Sequence, residues 1–243
     1  MKITSEIMNT KERIAAPKHD MDITMIQPWS IPVLKTTLPP DILQIMIEIS
    51  DQIITDKESR EWGTSLVGQI DKELYVAMET LVEKKVLGFF QDAVRQFVIT
   101  CLSQASPSTM KHTQQEEWLI EVLIMWIVSQ QPNEYNPLHI HTDCQISSVM
   151  YLKVPKMLPP KKKHRQDDDG SILFISNASR NIELSSPSIS IPPQVGDFYI
   201  FGAEQQHAVY PYRCEEGQED VERRSISFNA VFKSSGWHRW NKI

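Results

Sequence analysis

The 243 residues contain three cysteines, Cys101, Cys144 and Cys214, too few and too scattered for a disulfide framework, and no C-x-x-C pair offers a zinc knuckle. A reducing, cytoplasmic setting is therefore expected. No eighteen apolar residues run together, and the opening stretch MKITSEIMNTKERIAAPKHD lacks the apolar core of a signal peptide. Neither a membrane nor secretion by that route is expected. Positive charge is also in short supply: 25 Lys and Arg stand against 31 Asp and Glu, a net charge of −6, which argues against nucleic acid as a partner. The one basic run, KKKHR at 161–165, is followed at once by DDD and reads as a self-compensated loop. Several catalytic signatures are absent too. There is no G-x-S-x-G elbow, no P-loop, no H-E-x-x-H and no G-x-G-x-x-G, which removes the usual hydrolase, phosphate-binding, zinc-protease and dinucleotide patterns. What remains is a chain with 41% hydrophobic residues, enough for a sizeable core.

Residues 1–25 are polar and of mixed charge, a loosely held arm; 26–243 read as a single domain. WSIPVLKTTL (29–38) is an edge strand, because Pro32 cannot donate to a ladder. LPPDILQIMIEISDQIITD carries Ile42, Met46, Ile49 and Ile53 at steps of four, three and four, one helical face behind a proline start. From Lys72 to about Gln104 the apolar spacing again predicts helix, so 26–115 is mainly helical support. The texture then changes. WLIEVLIMWIVSQ (118–130) is too apolar for a half-wet strand and predicts a central buried one. SSVMYLKV, SILFIS, SISIPP, VGDFYIFG and RRSISFNAVF follow, separated by proline-, glycine- and charge-rich connections. Strands at this spacing over 116–234 predict a jelly roll, and 155–170, PKMLPPKKKHRQDDDG, a mobile insertion.

The chemistry gathers in NPLHIHTDCQISSVMYLKV (136–154). Side chains at i and i+2 of an extended chain point the same way, so His141 and Asp143 aim an imidazole and a carboxylate at one point. His139 shares that parity and offers an alternative pair. Downstream, GDFYIFGAEQQHAVYPY places His207 beyond a strong strand, and ERRSISFN sets Arg223, Ser225 and Asn229 on one face, with Arg224 on the other. Two histidines and one carboxylate on a β-scaffold are the facial triad of non-haem iron(II) sites.

This order, with SSVMYL, GDFYIFG, QHAVYP and ERRSISFN around it, resembles the 2-oxoglutarate and iron(II)-dependent oxygenases, above all a group common in bacteria and phages and related to prolyl hydroxylases. The resemblance covers roughly 118–232. It implies an α+β fold with a double-stranded β-helix core, jelly-roll and cupin-like, backed by N-terminal helices. It further implies iron(II) on His141, Asp143 and His207, with 2-oxoglutarate and O2 as the other reactants. The far carboxylate of 2-oxoglutarate would meet Arg223, Ser225 and Tyr151, with His139, Gln131 and Asn229 placed behind the ligands or in the wall of the substrate pocket. Gln131 stands where prolyl hydroxylases often carry a tyrosine, which leaves the substrate open; a protein or peptide residue is the leading expectation. Oligomeric state is not legible. Two other classes share the pattern: a cupin-like metalloprotein without 2-oxoglutarate, which Arg223-x-Ser225 opposes, and a non-enzymatic β-sandwich whose histidines are incidental.

Overall fold

The computed structural model describes residues 32–105, 117–159, 168–176 and 188–234, all within a unit spanning Ile31–Ile243. The expected N-terminal arm, the middle of the expected insertion (160–167), and His19, His112, His164 and His238 lie outside the described residues.

Pro39 and Pro40 preset the backbone for the first turn of α1 (Pro40–Thr55), which buries Met46 and Ile49 on the predicted face. The stretch after it departs from the helical expectation. Glu73–Val76 is a strand, β2, and the helices are α2 (Met78–Glu83) and α3 (Leu87–Ala105). Leu74, Met78 and Leu81 step by four and three as on a helix, but within ELYV Leu74 and Val76 alternate as on a strand. Pairing with a long neighbouring strand decides for the extended form.

A six-stranded antiparallel sheet runs in the order β1 (Val33–Thr37), β8 (Asp197–Gly202), β5 (Ile146–Lys153), β10 (Arg223–Ser234), β3 (Trp118–Gln130), β2. A four-stranded sheet has β4 (Asn136–His139), β9 (His207–Val209), β6 (Ile172–Ile175) and β7 (Ser188–Ile191). β3 is thus next to the edge rather than central. Its first half alternates between buried and exposed residues, and only from Met125 onward is it covered throughout.

The period of two divides the large sheet into faces with different partners. Met125, Ile127, Ile146, Met150, Ile226 and Phe228 point to the helices and join Met46, Ile49, Leu81, Phe90 and Val94 in the main core. There the Phe90 ring lies 5.5 Å from that of Phe228. On the opposite face Val149, Tyr151, Tyr199 and Phe201 pack against Ile172, Phe174 and Val209 of the small sheet. Helices on one side and a short sheet on the other make the expected double-stranded β-helix with supporting helices. The cleft between the sheets is where polar side chains gather.

Candidate functional site

β4 ends at His139 and β9 begins at His207, and the two residues are register partners. His141 follows on an extended segment whose amide donates to the Ala203 carbonyl at 2.9 Å. The ligand nitrogens of His139, His141 and His207 all lie within 4.8 Å of one another. Backbone carbonyls fix two of the tautomers. His139 Nδ1 lies 2.7 Å from the Pro137 carbonyl and His207 Nδ1 2.8 Å from that of Gln205. A carbonyl only accepts, so each Nδ1 carries the proton and each Nε2 presents a lone pair. His207 Nε2 faces His141 Nε2 at 3.3 Å. Two nitrogens bound to one transition ion at adjacent positions stand about 3 Å apart, given metal–nitrogen bonds near 2.1 Å. The donor set therefore fits a borderline-soft divalent cation.

Burial keeps these rings neutral. It pushes His207 down to about 3 and His141 down to about 4, helped by the neighbouring histidines, and lowers His139 as well. Phe201 packs edge-on to the His207 ring with centroids 4.8 Å apart.

Asp143 is not brought into this group. It sits exposed in the turn after His141, at φ 59°, and lines the wall of the same cavity. The i, i+2 argument requires extended backbone between the two residues. The left-handed turn at Asp143 removes that condition, while β4 carries His139 into place instead.

The cavity is about 520 Å³ and reaches from the imidazoles to β10. Arg223, Ser225, Ser227 and Asn229 all face it, as strand parity predicts. Arg223 is 1% exposed. Its Nη1 donates to Gln130 Oε1, its guanidinium lies 4.8 Å from the centre of the Tyr151 ring, and its Nε has no partner among the described residues. Tyr151 is fully buried behind it, with an unpartnered hydroxyl and a pKa raised by burial, and it does not line the cavity. Asn229 Oδ1 is also buried without a partner.

Gln131 is exposed and does not line the cavity, and its backbone N–H donates to Glu134 Oε2. The glutamine that reaches Arg223 is Gln130, its register partner on β3. Gln130 shares parity with Trp126 and Val128, which is the signal that could have found it. Arg224 does point away from the cavity but is not at an exposed strand start. It is 6% exposed, forked onto both Glu222 oxygens at 2.9 and 2.7 Å, and tied through Nη1 to Ser50 and Asp51 of α1. Glu73, on the strand that helical spacing conceals, is a further cavity residue.

Residues 124–229 match the model of a family described as "Putative 2OG-Fe(II) oxygenase". No curated protein matches by sequence. Among solved structures, the chain is similar to AviO1 from Streptomyces viridochromogenes Tue57 at 12% identity and a TM-score of 0.50, covering 83% of this chain and 90% of that one. HygX from Streptomyces hygroscopicus, solved with nickel, 2-oxoglutarate and hygromycin B bound, matches at 8% identity and a TM-score of 0.50 over 83% of each chain. A Pseudomonas putida prolyl-4-hydroxylase matches at 14% identity and a TM-score of 0.46, over 82% and 92%. The first two of these likenesses speak for the shared fold.

Proposed function

We propose that the chain, whose residues 124–229 match the family model described as a 2OG-Fe(II) oxygenase, is such an oxygenase and hydroxylates a C–H bond of a protein or peptide residue, with release of succinate and CO2. His139, His141 and His207 hold the metal. Iron(II) bound there supplies the activation of O2. Arg223 takes the far carboxylate of 2-oxoglutarate, with Ser225 beside it on the same strand face. Gln130 and the Tyr151 ring hold the guanidinium from behind, so that its planar fork is already oriented.

The observation that carries this reading is the state of Arg223. A guanidinium buried at 1% exposure, with an unpartnered Nε and only a neutral amide and a ring beside it, is a costly arrangement in isolation. A carboxylate entering the cavity resolves it. Three neutral imidazoles also leave the metal's charge uncompensated, which favours a dianionic cosubstrate over a neutral one. The preference for a protein or peptide substrate rests on the resemblance to prolyl hydroxylases.

Titration of 2-oxoglutarate into the manganese-loaded protein without oxygen tests the assignment. Arg223→Ala is expected to weaken binding roughly 30-fold or more, because removing one partner of a shielded charge pair typically costs about 2 to 5 kcal/mol, and Arg223→Lys to recover only part of that loss. Arg224→Lys leaves the affinity unchanged, since that side chain is engaged behind the sheet. Absence of binding to the wild type removes 2-oxoglutarate and leaves the cupin-like metalloprotein.

Asp143 supports a second assignment of the third ligand, because it lines the same cavity two residues from His141. Under that assignment the turn at 142–144 straightens on metal binding and His139 becomes a neighbour of the metal.

A further inference from the structure

The cavity has a second end that the cosubstrate does not use. Glu73 faces it from β2, paired in register with Val128, which is itself paired with Ser225. Glu73 and Ser225 therefore stand on one row of the sheet floor, two strand spacings or about 10 Å apart. Glu73 is 1% exposed, and its Oε2 has no hydrogen-bond partner among the described residues. The chain at 62–68 wraps this carboxylate closely. A Cβ at Gly63 or at Gly68 would come within 3.2 Å of its oxygens, and one at Gly68 would also meet Asn136 Oδ1 at 2.4 Å. Glycine at both positions lets the backbone close over an acid instead of a side chain filling the space.

The surroundings make the carboxylate more conspicuous. Burial, with Glu134 and Glu61 nearby, pushes the Glu73 carboxyl up to about 7. Arg60 does not pair with it, and stacks instead on the rings of Trp62 and Tyr75 at 5.2 and 5.0 Å. Apart from the histidines, the charged residues lining the cavity are Arg223, Asp143 and Glu73, and Arg223 is taken by the cosubstrate. What is left for a substrate is acidic, flanked by the aromatic walls of Trp62 and Trp126. An acid in a cavity that two indoles also line suits a cation, which gains from a carboxylate and from aromatic neighbours alike.

We propose that Glu73 is the specificity-determining residue for the substrate and receives a protonated amine or guanidinium, with Trp62 alongside. This assignment rests on the oxygenase reading for the reaction, though not for the binding itself. A basic side chain or an amine-bearing small molecule is then the substrate class, and the reacting C–H bond lies between that cation and the imidazole trio.

The test uses butylguanidinium and its uncharged counterpart pentanamide, titrated into the full chain and followed by ligand-observed NMR. 2-Oxoglutarate is titrated into the same manganese-loaded samples as a separate arm. Wild type is expected to prefer the guanidinium at least about ten-fold, and Glu73→Gln to remove that preference while leaving 2-oxoglutarate affinity and pentanamide binding unchanged. Equal binding of the two probes to wild type overturns the proposal without any variant, and so does a preference that survives Glu73→Gln. Failure of the 2-oxoglutarate arm with the guanidinium preference intact removes the oxygenase reading and leaves Glu73 as a cation site.

Discussion

Glu73 illustrates how a single side chain can work against the fold that holds it. Its carboxyl is raised from 4.5 to about 7 by burial, so the folded protein keeps a proton that the unfolded chain has already released. For an acid shifted upward, the penalty is absent below pH 4.5, grows between pH 4.5 and 7, and is complete above. Glu73→Gln is therefore expected to stabilise the protein at pH 8 by up to about 3 kcal/mol and to change little at pH 4.5. Urea unfolding of both proteins at the two pH values measures this; a variant no more stable at pH 8 removes the account. The candidate metal ligands divide as sharply. His139→Ala is expected to abolish tight manganese binding and Asp143→Ala to leave it largely intact, read by electron paramagnetic resonance of the titrated metal. The opposite outcome restores the carboxylate as third ligand.

At the level of elements, β10 does most of the organising. Its odd-numbered residues from Arg223 to Asn229 floor the cavity, while Ile226 and Phe228 enter the helical core. Phe228→Ala is expected to cost about 3 to 5 kcal/mol, because a fully buried ring packed against Phe90 and Phe198 leaves a void that the surrounding sheet cannot close. Denaturant midpoints at constant m-value report it. This strand was legible in the sequence because polar and apolar residues alternate from Ser225 to Phe228 and its two faces differ in polarity, whereas β5 and β8 were legible as compact runs of β-forming residues bounded by proline, glycine and charge. α1 was legible from its steps of four and three. β2, β4 and β9 were not, since each has only three or four residues and none stands apart as a β-rich run between turn residues, as SILFIS and SISIPP do. Their formation depends on long-range partners such as β3 that no local window contains. The site was legible in the same proportion. His141, His207, Arg223 and Ser225 stand on or beside strands that the sequence itself displays. The third imidazole depended on the β4–β9 pairing, Gln130 on the exact end of β3, and Glu73 on a strand that the helical period hides.

For the whole molecule, one buried and two half-buried imidazoles set the response to acid. His141 and His207 have folded values near 4 and 3, below the ordinary 6.5, so between those values and 6.5 the unfolded chain binds more protons. Stability is present above pH 6.5 and falls as pH drops below it. In the Glu73→Gln background, which removes the opposing trend, metal-free protein is expected to lose roughly 4 kcal/mol between pH 7 and pH 5, from two groups at about 1.4 kcal/mol per unit. A stability that does not change over that range excludes neutral buried histidines. The two sheets also differ greatly in span. β3 and β10 pair over a dozen residues, whereas β4, β6, β7 and β9 have three or four each, and the imidazoles at 139 and 207 sit on these short pieces. Arg223 belongs to the long pair and His139 and His207 to the short ones, so the two halves of the site should open independently. Amide hydrogens of β4 and β9 should exchange through local fraying while those of β3 and β10 wait for global unfolding. A divalent ion joining three imidazoles acts as a clasp on the weaker sheet: at a hundred times its dissociation constant it deepens the protection there by up to about 2.7 kcal/mol and leaves the exchange of Phe228 set by the global transition.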